Sequence, residues 1–166
     1  MKLSSNTTNI LKNFSQINQS ILIKKGNKLK TISVMKNILA EAEVEEDFEA
    51  DFAIYDLNQF LSGLSLYDSP DLDFGDSYLT IRDGRRRAKY FFADPSVIVS
   101  PPEKEISLPS KDVCFTVATQ QLDKLLKAAA IYQVPDLSAI GRNGKVELVV
   151  RDKKNDTSHE FSEEVG

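Results

Sequence analysis

The sequence predicts an α+β fold built from repeats of one strand–helix–strand–strand unit. Two observations carry that prediction. Leu57, Phe60, Leu61 and Leu64 follow the i, i+3, i+4, i+7 spacing of one buried helix face, and Leu122, Leu125, Leu126 and Ala129 repeat it 65 positions later. Each helix is followed by alternating apolar segments around a tight-turn dipeptide, Asp83-Gly84 in one copy and Asn143-Gly144 in the other.

Taken in order, residues 6–17 read as the first helix, with Ile10, Phe14 and Ile17 on one face, Leu11 at its margin and Lys12 roughly opposite. A hairpin is expected next: Ile21, Leu22 and Ile23, a turn at Lys25-Gly26-Asn27, then a return strand over 29–34. Residues 38–44 and 48–55 alternate as two further strands. The acidic run 41–51 lies across them, so on a half-buried sheet many of its carboxylates point outward as a solvated face.

The second copy of the unit begins at Phe52. Asp56 is the expected N-cap of its helix, and Gln59 completes a D-x-x-Q pattern resembling a capping box. Strands over 72–74, 78–81 and 88–92 follow. In the third copy a strand over 115–118 leads into Thr119 as N-cap, then a helix, two strands around Asn143-Gly144, and a last strand within 159–165. The strand phenylalanines Phe52 and Phe115 are 63 positions apart, so an indel of two lies between strand and helix. Residues 1–52 fit the same order of elements more loosely. Between the second and third copies, residues 94–112 hold four of the six prolines and read as an extended connector. The expected organisation is therefore a two-unit domain over 1–93, a connector over 94–112 and a one-unit domain over 113–166.

Composition narrows the function classes. At 166 residues with 41% apolar and 28% charged side chains, the chain has the material for a packed core. A single cysteine, Cys114, excludes an internal disulfide; it is expected in the core or at a strand boundary. His159 stands alone, with no partner pattern for acid–base work or metal ligation. Gly26, Gly84 and Gly144 are turn glycines, and no phosphate-cradling motif occurs. No catalytic site, metal or cofactor is expected. No apolar run approaches the roughly 20 residues that span a bilayer, and no signal-peptide core opens the chain, so an intracellular protein without a membrane partner is expected.

The net charge of −4 argues mildly against nucleic acid, but the charges are segregated. The three helices hold one of the 25 acidic residues, Asp123, while Lys12, Lys124 and Lys127 lie opposite the apolar stripes. Such a layer attracts phosphates without reading sequence. Taken alone, the same lysines read first as solvating groups. Arg85, Arg86 and Arg87 form the densest basic cluster and read first as a solvated turn.

Three phrases carry a resemblance: the opening MKLSSNTTNILKNFSQIN, the stretch DFAIYDLNQFLSGLSL over 51–66, and ADPSVIVSP leading into the connector. They resemble the sliding clamp of the T-even-like tailed phages, the DNA polymerase processivity factor. The resemblance implies a processivity-clamp fold, sheets outside and helices in one layer. It implies a homotrimeric ring around duplex DNA in the host cytoplasm, opened by an ATP-dependent clamp loader and itself catalysing nothing. It also implies a pocket beside the connector for the C-terminal peptide of the polymerase, with Val97, Ile98 and Val99 as candidate walls; read from the residues alone, the three serve nearly as well as anchors of the connector on the first domain. Lys12, Lys124 and Lys127 become the candidate DNA-facing residues, and the arginine cluster gains DNA or the loader as a contact. Four units are expected of that family and three are legible, so an incomplete second domain is expected, with trimer closure tied to its completion. Two other readings differ in class: an interaction adaptor that kept the fold without the ring, and an enzyme with dispersed carboxylates.

Overall fold

The computed structural model describes residues 1–104, 110 and 114–165. Most of the connector beyond 104 therefore lies outside the described residues. The chain divides into two compact units, Met1–Glu105 and Ile106–Gly166.

In the first unit, helix α1 (Ser5–Ser15) is followed by strands β1 (Ile21–Ile23), β2 (Gly26–Ile32), β3 (Leu39–Phe48) and β4 (Phe52–Ile54). Helix α2 (Leu57–Leu64) then leads to β5 (Asp71–Phe74), β6 (Tyr78–Asp83) and β7 (Arg86–Phe91). The two helices lie side by side over a shared core that draws on every one of these elements except β7 for its fully buried residues. Phe48, Phe52 and Phe74 form the aromatic part, with ring centroids 5.0–6.3 Å apart. Offset and edge-on packing of this kind adds to simple area burial.

Helix α1 centres its buried stripe on Thr7, Leu11 and Phe14, while Ile10 is only partly buried. Leu11, expected at the margin, is thus in the middle: Thr7 at its i−4 position is drawn inward by a polar partner rather than by hydrophobicity. That partner is Glu46. Strand β3 turns Glu41, Glu43, Glu45 and Asp47 to solvent, but Glu46 points inward and is 8% exposed. Its carboxylate accepts hydrogen bonds from the Ser4 backbone N–H and the Thr7 hydroxyl at the N-terminus of α1. Burial opposes its charge, yet the Thr7 and Ser4 hydrogen bonds outweigh burial and hold the carboxyl below its ordinary 4.5. The helix dipole acts in the same direction.

The strands differ from expectation in two places. The anticipated hairpin of β1 with β2 does not form; β1 pairs antiparallel with β4, and β2 with β3. Asp51 explains the geometry, since its carboxylate accepts from Lys24 Nζ at 2.9 Å and from the Lys25 backbone at 2.8 Å. That fastens the β1–β2 corner to the turn between β3 and β4, and Gly26 at φ +109° lets the chain swing away. The second difference is that 39–48 is one strand rather than part of two, because alternation continues unbroken through Val44, Glu46 and Phe48. The second copy matches its expectation closely. Asp56 caps α2 by accepting from the Gln59 N–H at 2.9 Å, and Leu57, Phe60, Leu61 and Leu64 are all buried.

The second unit carries helix α3 (Thr119–Tyr132) and strands β8 (Asp136–Arg142), β9 (Lys145–Arg151) and β10 (Phe161–Val165), in the order β10–β9–β8. Asn143 and Gly144 both have positive φ, as the expected type I′ turn requires. Four expectations fail here. Residues 115–118 are not a strand, and Cys114 beside them is exposed rather than buried. The N-cap is Ala118, one residue before Thr119, with its backbone N–H held by Gln121 Oε1 at 3.0 Å. Leu126, expected in the core, is 53% exposed, and Ala128 is buried in its place beside Leu125. Helix α2 lies against a second helix as well as strands, which widens its buried stripe. Within its own unit α3 packs on β9 and β10, so a narrower stripe suffices.

Among the described residues no helix is long and apolar enough to cross a membrane.

Candidate functional site

Two surfaces hold the residues that the sequence singled out. The first is the helix surface. Lys12 is exposed in the last turn of α1, where a cation suits the dipole. It lines a groove of about 390 Å³ together with Ser5, Thr8 and Asn9 of α1 and Leu61 and Leu64 of α2. No carboxylate lies on α1 or α2; the groove's two charged lining residues are Lys12 on α1 and Asp68 beyond the end of α2. Lys124 and Lys127 are both exposed on α3, three residues apart and therefore on one face, with Leu125 and Ala128 turned into the sheet. The structure thus brings Lys124 and Lys127 together on one helix, while Lys12 belongs to the other unit.

The arginine cluster stands at the β6–β7 hairpin. Arg85 shares the turn with Gly84, whose φ of +58° suits glycine. Arg86 has a local role: its guanidinium donates to the Leu66 carbonyl at 3.1 Å, tying the hairpin to the end of α2. All three arginines are exposed.

The second surface is the start of the connector. Asp94 caps a single 3₁₀ turn, Pro95–Val97, by accepting from the Ser96 N–H at 2.8 Å; that bond holds its carboxyl below the ordinary range. The apolar triplet then splits. Val97 is 56% exposed, Ile98 is 8% exposed and Val99 is half-buried. Asn18 fixes the strip to the first unit, donating to the Ile32 carbonyl at 2.8 Å and to the Val99 carbonyl at 3.3 Å.

Beyond Ile32 lies a feature that sequence reasoning missed. The loop between β2 and β3 is folded around the Ser33 hydroxyl, which accepts from the backbones of Asn37 and Ile38. Lys36 takes a left-handed φ of 57°. The loop holds Val34, Met35 and Ile38 in solvent, Met35 at 82% exposure, and Leu39 at the start of β3 is exposed beside them. Extending the preceding strand to Val34 hid it. The available signal was Lys36-Asn37 between two apolar pairs, a turn between strands.

Residues 2–100 match the family of DNA polymerase processivity factors. This chain belongs to that family. It is 30% identical over 172 residues to the sliding clamp of Vibrio phage KVP40, covering 100% of this chain and 77% of the relative. Identity to the sliding clamp of Escherichia phage RB69 is 35%, over 95% of this chain and 69% of the relative. For the sliding clamp of Enterobacteria phage T4 it is 34%, over 95% and 70%. The fold is similar to the crystal structure of the PCNA2-PCNA3 complex from Sulfolobus tokodaii, with a TM-score of 0.59 at 15% identity, over 98% of this chain and 72% of that one. A processivity factor of the sliding-clamp kind is therefore the reading that stands, ahead of the ring-less adaptor.

Proposed function

We propose that this processivity factor tethers a replicative polymerase by encircling duplex DNA, with Lys12, Lys124 and Lys127 facing the phosphates. The observation that carries the reading is the charge segregation of the helices. Their solvent faces hold these three exposed lysines and one carboxylate, in a chain whose net charge is −4. Contacts of this kind hold DNA without fixing position along it, as sliding requires. Closure of the ring is by association of three copies as a homotrimer once the second domain is complete, and an ATP-dependent loader opens it. The chain works by binding and catalyses nothing.

The polymerase's C-terminal peptide docks beside the connector. Val97 supplies the exposed wall, Val99 a partial one, and Ile98 anchors the strip to the first unit. The exposed apolar loop at Val34, Met35 and Ile38 follows directly on Ile32, whose carbonyl shares Asn18 with Val99, so it extends the same surface.

The test is primer extension by the cognate polymerase with a Lys12→Glu, Lys124→Glu, Lys127→Glu triple variant across a salt titration. Shorter products are expected, with the wild-type salt dependence losing up to about 3 in log–log slope per chain, from roughly 0.9 per phosphate contact. Wild-type product lengths at every salt concentration would refute the assignment.

A further inference from the structure

The face of the β5–β6–β7 sheet that points away from the core carries basic and aromatic side chains of its own. Leu79 and Ile81 of β6 are buried in the core, and their register partners Tyr90 and Ala88 pack against it from the same side. The alternate positions therefore share the outward face: Tyr78 opposite Phe91, Thr80 opposite Lys89, and Arg82 opposite Arg87.

Charge changes sign across this face. Its carboxylates stand on β5, where Asp71 is opposite Arg82 in register and Asp73 pairs with Arg82 at 3.6 Å. Strand β7 lies two strand spacings away, roughly 10 Å, and forms the edge of the sheet. Arg87 and Lys89 on β7, and Arg85 in the adjoining turn, are exposed and make no ion pair among the described residues. Arg82 and Arg87 are like charges placed directly opposite each other, which costs stability unless an anion lies between them. The aromatic part is already braced. Lys89 Nζ sits 4.3 Å from the centroid of the Tyr78 ring, and Tyr78 meets Phe91 at 5.6 Å and 56°. Phe91 itself is 66% exposed, so it contributes little to the core.

We infer that this outer face holds single-stranded DNA, an unpaired base stacked on Phe91 and the adjoining phosphates on Lys89 and Arg87. Outward positions along β7 recur about every 7 Å, near the spacing of successive nucleotides in an extended strand. An exposed aromatic ring beside uncommitted cations is the chemistry that holds single strands without reading their sequence. Duplex fits less well: its bases hide their faces in the stack, and a flat sheet offers no element to enter a groove. An acidic peptide would answer the arginines but brings no planar group for Phe91. The choice of DNA over RNA rests on membership of the processivity-factor family, whereas the stacking site does not. The site is apart from the helix lysines and from the connector strip, which Asn18 fastens to Ile32 on β2, in another sheet.

The probes are two fluorescein-labelled strands of about 16 nucleotides, oligothymidylate and an abasic strand with the same phosphates, titrated with the full chain and read by anisotropy. The wild-type chain is expected to bind oligothymidylate saturably and the abasic strand about tenfold more weakly. Phe91→Ala should lower oligothymidylate affinity to the abasic level and leave abasic binding unchanged. Arg87→Gln, Lys89→Gln should reduce the log–log salt slope by up to about 1.4, from roughly 0.7 per phosphate of a single strand. The Lys12→Glu, Lys124→Glu, Lys127→Glu variant should keep the full difference between the two probes, so failure of the helix-surface reading is distinguishable from failure of this one. Circular dichroism checks folding, and the wild-type comparison of the two probes needs no variant. Equal wild-type affinity for both strands, a difference that persists in Phe91→Ala, or tighter binding of an acidic peptide of equal charge overturns the proposal. Oligouridylate bound tenfold more tightly than oligothymidylate overturns the assignment to DNA.

Discussion

Glu46→Gln isolates the contribution of one buried charge to the first unit. The carboxylate is 8% exposed and accepts from the Ser4 N–H and the Thr7 hydroxyl. Glutamine keeps the shape and both contacts: its oxygen can face Ser4 while its amide donates to Thr7. What disappears is the charge. Hydrogen bonds to charged groups contribute roughly 1 kcal/mol more than neutral ones. Two such bonds, with a smaller helix-dipole contribution, give an expected loss of about 2 kcal/mol. With a urea slope of about 1–3 kcal/mol/M, the midpoint should fall by about 1 M. Near-UV circular dichroism is the suitable assay, because Tyr55, Tyr67, Tyr78 and Tyr90 lie in the first unit against Tyr132 in the second. The effect also carries a pH signature. The folded-state pKa lies below the ordinary 4.5, so the stabilisation is full above 4.5 and is lost as pH falls through the folded value. The gap between wild type and Glu46→Gln should therefore be constant near neutrality and close on acidification. Glu45→Gln, one residue along on the exposed face, is the control and should shift stability by no more than about 0.5 kcal/mol. If Glu46→Gln and Glu45→Gln unfold alike, or if the gap persists unchanged below pH 4, the reasoning fails.

Two further outcomes are expected. Ile98→Ser should destabilise the first unit by about 2–4 kcal/mol in thermal melts, because it opens a cavity and buries a hydroxyl. Val97→Ser should leave the melt unchanged and weaken calorimetric binding of the polymerase C-terminal peptide about tenfold; a swapped pattern would reverse the two roles. Gln133, which ends α3 in the left-handed region at φ 53° with its N–H on the Ala129 carbonyl, should accept glycine with a gain of roughly 1 kcal/mol. A melting temperature that falls in Gln133→Gly would show that the side chain, not the backbone, sets that terminus.

Much of the architecture was legible because local chemistry and burial agreed. Asp56 and Gln59 marked the start of α2, its apolar stripe is wide enough to read from spacing alone, and Asn143-Gly144 admits few other turns. The repeat at 65 positions carried the same logic into α3, but only as far as local pattern reaches. Whether Leu126 is covered depends on how many elements pack around the helix, and spacing does not encode that number. The partnering of β1 with β4 was equally out of reach, since it rests on Asp51 gripping a corner 26 residues away. Glu46 is the clearest case. In sequence it is one carboxylate in an acidic run, indistinguishable from Glu45. Only the pleat of β3 and the placement of α1 against it decide that one faces water and the other the N-terminus of a helix. Along the connector, the sequence determined that Val97, Ile98 and Val99 form an apolar strip. Which of them faces the body and which faces solvent was decided by the 3₁₀ turn at Pro95 and the grip of Asn18 on the chain after it, contacts that exist only once the first unit has folded.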